Sequence, residues 1–303
     1  MKVLHNFCLI ASLTLVAAAG RAETVTKSVP LTPDIVRVYL NGSHELYLTQ
    51  GEEEYVKLTT TADLLPRVEA RVKGKGLYLG KEGEWRNNDW QSSDPDMKVR
   101  FDVQLRHIDS VRLRGSGNAN ISNLVAGRLK IIQAGSGKIT AGTIKADAIT
   151  VEMAGSGDFQ SDSIEATDLE VQINGSGKVD VTRVQAGNVE IAIAGSGDVK
   201  LADLTAGQLA TEISGSADID ISGRVTKQEL EINGSGDYRA ADLVSEFADI
   251  EIRGSGDVEI NVRQNLTAET MRGSELIYYS APDLAIDISG QGKHRNAGRR
   301  GDK

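Results

Sequence analysis

The sequence predicts an all-β fold, a right-handed parallel β-helix with coils of about twenty residues and a β-rich N-terminal cap. Three observations predict it. A Gly-Ser-Gly triplet recurs at nearly constant spacing, apolar residues stand at fixed offsets from it, and the residues between alternate with period two. Helical spacing of the apolar positions is absent.

In chain order, residues 1–22 read as a signal peptide. Lys2 gives a positive start, Phe7 to Ala19 an apolar stretch, and Gly20-Arg21-Ala22 a small-x-small cleavage site before Glu23. That stretch is short of the roughly twenty apolar residues that span a bilayer, and no later segment comes closer. An exported chain with no integral membrane segment after cleavage is therefore expected. The other reading of these residues is a buried N-terminal strand. Cys8 is the single cysteine and leaves with the signal, so neither a disulfide nor a thiolate site is expected. Cleavage also removes Lys2 and Arg21, leaving 32 basic residues against 43 acidic ones. A surface that acidic repels phosphate backbones, which argues against nucleic acid as a partner.

Residues 23–110 lack the triplet but read as strands. Met97, Val99, Phe101, Val103 and Leu105 alternate with polar residues, and turns are marked at Asn41-Gly42 and Gly74-Lys75-Gly76. An open solenoid end would pair with other chains, so this region is expected to cap it.

Residues 111–292 carry the repeat. The leading glycines are Gly115, Gly135, Gly155, Gly175, Gly195, Gly215, Gly234 and Gly254, with degenerate copies at Gly273 and Gly290. Two residues before them stand Leu113, Gln133, Met153, Ile173, Ile193, Ile213, Ile232, Ile252, Met271 and Ile288, all expected to point inward. A period near twenty has no room for a crossover helix, so coils must stack directly as parallel β, about 4.8 Å apart. Parallel connections are right-handed. The glycines suit tight corners, where stacked backbones leave no space for a Cβ. The serines would then form a hydroxyl ladder, not the strand-to-helix elbow of a hydrolase. Residues 293–303 form a basic tail, expected to be mobile.

The cap pattern around Leu46-Tyr47-Leu48, Leu64-Leu65 and Gly76-Leu77-Tyr78-Leu79, followed by Gly115-Ser116-Gly117-Asn118 and twenty-residue Gly-Ser-Gly coils, resembles the bacterial head GIN domain family of putative auto-transporter adhesins. The resemblance covers nearly the whole chain after the signal. It implies an exported β-helical protein without catalytic residues, in the periplasm or at the surface of a bacterium. The chain departs from a true auto-transporter in ending about a dozen residues after its last coil, leaving no room for a C-terminal membrane barrel.

Few residues suggest chemistry. Trp85, Asn87, Asp89 and Trp90 form the best ligand candidate, because tryptophans beside amides and acids can stack on sugar rings and bond their hydroxyls. The plainer reading folds both tryptophans back over the cap. After the triplets stand Asp198, Asp218, Asp237 and Asp257, which would repel one another unless solvated or bridged by a cation. One carboxylate per corner is a thin supply for calcium, so no metal or other cofactor is expected. His44, His107 and His294 have no second metal-ligating histidine or cysteine nearby. The expectation is a non-catalytic surface or envelope protein that binds a glycan or an envelope component. Alternatives are a polysaccharide lyase or hydrolase, by analogy with other β-helices, and a structural envelope spacer.

Overall fold

The structure, a computed structural model, describes residues 12–16, 24–31, 34–82, 98–280 and 285–300. Its strands are β1 (Ser12–Val16), β2 (Thr24–Pro30), β3 (Arg37–Asn41), β4 (Glu45–Gln50), β5 (Tyr55–Thr61), β6 (Val68–Lys73), β7 (Gly76–Lys81) and β8 (Arg100–Leu105). The solenoid follows with β9 (Ser110–Gly115), β10 (Asn118–Ile121), β11 (Leu124–Gly135), β12 (Lys138–Gly155), β13 (Asp158–Gly175) and β14 (Lys178–Gly195). It ends with β15 (Asp198–Gly215), β16 (Asp218–Gly234), β17 (Asp237–Gly254), β18 (Asp257–Thr270), β19 (Glu275–Ser280), β20 (Ala285–Gly290) and β21 (Lys293–Asn296). One turn of 3-10 helix, Leu65–Arg67, is the only helix among the described residues.

The fold is a right-handed parallel β-solenoid of about nine turns, each of roughly 20 residues. From β12 to β17 each coil is one bent strand of 17 or 18 residues, and two corner residues lead to the next. Stacking is in register, so Gly135 lies over Gly115 and under Gly155. The corner geometry explains the leading glycine: Gly135 has φ +136°, and a Cβ there would sit 2.1 Å from the Gly115 carbonyl oxygen. Inward positions, such as Ile139, Ile144, Ile149, Val151 and Met153 of one coil, are fully buried and continue one hydrophobic core from Ile35 to Tyr278. The aliphatic core is interrupted by buried polar groups, Gln133 and Thr211 among them, and three buried groups nearer the C-terminal end are linked. Tyr238 donates to Gln228 Oε1 (3.3 Å), and Gln228 Nε2 donates to Ser245 Oγ (2.7 Å), all buried.

The first two coils are stacked out of chain order. β3 lies between β7 and β9, parallel to both, and β4 lies between β8 and β10, also parallel to both. Parallel stacking therefore starts at residue 37, ahead of the first full triplet. Gly42 (φ +95°) and Ser43 make the corner there, and His44 replaces the third glycine. His44 is buried edge-on to Phe101, with ring centroids 5.8 Å apart. Beyond these coils the pairing turns antiparallel: β6 on β7, β5 on β8, β2 on β5 and β1 on β2. Antiparallel strands end the stacking and cover the edge that parallel coils leave open. β1 falls within the segment read as a signal peptide. β2 pairs with β5 over seven residues, a ladder that does not involve β1.

Two expectations fail at the other end. Met271 is not inward: it is 51% exposed, and Thr270 takes the column of Ile252. Residues 271–274 close a turn, with the Ser274 N–H donating to the Met271 carbonyl (3.2 Å), so the degenerate corner displaces the register. Ile288 accordingly stacks on Ala268, in the column two positions further back. The basic tail also begins as structure. Lys293–Asn296 adds β21 in parallel to β19, and Arg300 donates to Asp242 (2.9 Å) while lying over the Tyr279 ring.

Candidate functional site

Trp85, Asn87, Asp89 and Trp90 lie outside the described residues, in the segment that joins β7 to β8. The corner acids are placed as a ladder, with Asp198, Asp218 and Asp237 in register and Asp257 opening the next coil. An arginine meets their repulsion. Arg239 reaches Asp237 at 2.8 Å and Asp218 at 3.6 Å, taking the bridging place that sequence reasoning left open for a cation. Among the described residues no three His, Cys, Asp or Glu side chains are grouped so as to hold a metal ion.

A different face gathers more charge. It is formed by the outward positions of the strand leading into each corner, three and five residues before the leading glycine. In the first column Tyr78, Tyr39, Arg112, Ile132, Glu152, Gln172, Ala192, Glu212, Glu231, Glu251 and Glu269 stack in that order. The second runs from Arg37 through Lys130 and Thr150 to Glu170, Glu190, Glu229 and Asp249. Charge thus changes sign along the solenoid axis, basic and aromatic near the cap and acidic toward the C-terminal end.

Like charges gather at both ends. Glu212, Glu231, Glu251 and Glu269 occupy four successive rungs about 4.8 Å apart, where like charges directly opposite destabilise a sheet. Arg253 clamps the middle two. Glu190, Glu212, Glu231 and their neighbours line a shallow groove of about 310 Å³. At the cap end, burial and then the adjacent Arg112 push the Arg114 guanidinium below its ordinary value. Tyr39 and Tyr78 stack in parallel with centroids 4.5 Å apart, presenting a flat aromatic step beside these arginines. Burial, followed by Tyr39, raises the Tyr78 phenol above its ordinary value.

A second concavity lies on the opposite side of the corner. The coil ending at Gly234 is one residue short between Ile221 and Gly223, so Gly223 recedes beneath Leu204 and opens a notch of about 490 Å³. Asp203 and Asp242 wall it, each held by an arginine: Arg183 at 3.3 Å and Arg300 at 2.9 Å.

The sign-changing face was missed in the sequence although its signal was present. Acids recur with the repeat period at Glu212, Glu231, Glu251 and Glu269, but attention to the residue after each triplet passed over the position before it.

Comparison with known proteins places the fold. A putative adhesin from Parabacteroides distasonis superposes with a TM-score of 0.52 at 18% identity, covering 91% of this chain and 97% of its own. A putative adhesin from Parabacteroides merdae gives 0.49 at 17% identity, over 92% and 97%. A putative lipid binding protein from Parabacteroides distasonis gives 0.48 at 17%, again over 92% and 97%. No curated protein matches the sequence. The profile of one family matches twice, over residues 36–204 and 190–282, a span that takes in the reordered first coils and all the Gly-Ser-Gly corners up to Gly273. The chain belongs to the family described as putative auto-transporter adhesin, head GIN domain.

Proposed function

We propose that this protein is an exported, non-catalytic binding protein of adhesin type that holds a glycan or another envelope component against its outer faces. The observation that carries the reading is the in-register ladder of outward, mostly polar side chains. Outward side chains repeat in register on every rung, and successive coils from β12 to β18 are joined by only two residues. Short corners leave flat faces that suit an extended partner, whereas a polysaccharide-cleaving site needs walls around clustered carboxylates. Membership of the adhesin family and the signal-like segment at 1–22 support export, to the periplasm or the bacterial surface.

A glycan array probed with the exported protein, beside a Trp85→Ala/Trp90→Ala variant, tests this. Selective hits lost in the variant support a carbohydrate-binding adhesin with its site on the segment between β7 and β8. A blank array, together with no binding to bacterial or host cell surfaces, overturns the reading. Release of unsaturated or reducing ends from polyuronates would replace it with an enzyme.

A further inference from the structure

The repeat contracts at one corner, and the contraction shapes a recess. Between the register pairs Leu201–Ile221 and Leu204–Gly223, Ala202 and Asp203 of β15 face Ser222 of β16 alone. Two coils on, Ile260 and Asn261 are adjacent in β18, while three residues separate their partners Ala240 and Val244 in β17. Ala241 and Asp242 therefore have no ladder partner on either side. Gly223, at φ +127°, makes the short turn, and the notch of about 490 Å³ opens there. Its walls at Asp203 and Asp242 belong to coils two rungs, about 9.6 Å, apart. Sites for small ligands occupy roughly 300–1,000 Å³, so the notch is large enough for one.

The polar groups there are unequally satisfied. Asp203 and Asp242 each meet one arginine, Arg183 at 3.3 Å and Arg300 at 2.9 Å, and keep lone pairs for further donors. Arg224 stacks between Thr205 and Val244, is exposed, and makes no hydrogen bond or ion pair among the described residues. Asn261 lines the notch although only 2% exposed. Its Nδ2 donates to the Ala241 carbonyl (3.4 Å), and its buried Oδ1 has no hydrogen-bond partner among the described residues. A further concavity of about 390 Å³ shares Thr205, Arg224 and Val244 with the notch and runs on toward Thr226 and Glu246.

From this arrangement we infer that the notch seats one unit of a carboxylate-bearing sugar chain, with its carboxylate on Arg224 and its hydroxyls on Asp203, Asp242 and Asn261. The inference deepens the glycan reading and rests on it. A guanidinium matches a carboxylate in a two-point pair. Carboxylates and an amide oxygen accept, which suits a ligand rich in hydroxyl donors. A buried acceptor without a donor favours a ligand that supplies one over a ligand that cannot. A compact anion with several charges, such as phosphate, would set its excess charge against Asp203 and Asp242, whereas a uronate carries a single charge on one edge of its ring. The adjoining concavity gives the next unit of a chain room beside Arg224.

The test is calorimetric titration of the exported protein with trimers of galacturonate and of glucuronate, against uncharged maltotriose and inorganic phosphate. Saturable binding of a uronate trimer is expected, weakened at least about tenfold by Arg224→Ala. Ala202→Trp, which fills the notch from an exposed position, should weaken it as much. Both substitutions sit at exposed positions, and unchanged melting shows that the fold survives. The Trp85→Ala/Trp90→Ala variant should bind the trimer as the wild type does. No uronate binding by the wild type, binding undiminished in either notch variant, or maltotriose or phosphate bound as tightly overturns the inference. Glycan-array hits that survive Arg224→Ala and Ala202→Trp remove this site and leave the glycan reading standing, whereas a blank array removes both.

Discussion

Replacing Gly175 with alanine should destabilise the solenoid by about 3 kcal/mol, whereas the same change two residues later should cost less than about 1 kcal/mol. The two positions share one corner but not one geometry. Gly175 has φ +133°, and a Cβ there would lie 2.4 Å from the Gly155 carbonyl oxygen, against 3.4 Å for an ordinary contact. A left-handed backbone forced on an L-residue costs about 1–3 kcal/mol. Relieving the clash needs a shift of about 1 Å, which strains the 2.9 Å bond that the Ser176 N–H donates to that same carbonyl, a loss of about 1 kcal/mol. At Gly177 no left-handed φ is required, the nearest atom to a new Cβ is the Gly157 oxygen at 3.0 Å, and the equivalent position one coil pair later already holds Ala217. Urea unfolding of Gly175→Ala and Gly177→Ala, read by circular dichroism, separates the two. Equal losses, or a larger loss at Gly177, would refute the corner argument.

Three further outcomes follow from the same structure. The Tyr238 phenol is fully buried, which raises its pKa above the usual 10; its stabilisation is complete below pH 10 and is lost as pH climbs toward the folded value. Tyr238→Phe should therefore flatten the alkaline limb of a stability-versus-pH curve, and an unchanged limb would count against the assignment. Arg239→Ala should lower stability by about 0.2–1 kcal/mol, more at low salt, because it leaves Asp218 and Asp237 facing each other; salt-dependent melting measures it. The exported protein should begin at Glu23 by N-terminal sequencing, with the fold retained, since β2 remains paired with β5; an intact N-terminus would show that β1 is a permanent strand.

Most of the solenoid was legible because every rung writes the same message. An inward aliphatic at a fixed offset and a glycine at each corner are local signals, repeated until chance is excluded. The order of the first coils was not legible, because β3 and β4 pair with β9 and β10, 73 residues downstream, and that pairing has no period to detect. Met271 and Ile288 were misplaced where the corner loses its second glycine and the spacing contracts, so offsets counted from Gly273 and Gly290 no longer report the register. The charged face needed the register itself. Single glutamates look solvated one at a time; only stacking shows four of them in a column with Arg112 in line.

The interleaved first coils set a direction for assembly. β3 and β4 cannot be completed by their immediate successors, since their partners arrive only with β7 and β8 on one side and β9 and β10 on the other. Until residue 121 is available there is no finished template, and from then on each stretch of twenty residues meets a ready-made edge and adds to it. A chain leaving a translocation pore N-terminus first would build a locked foundation and then grow upward one storey at a time. Each storey laid down outside would oppose the chain's return through the pore.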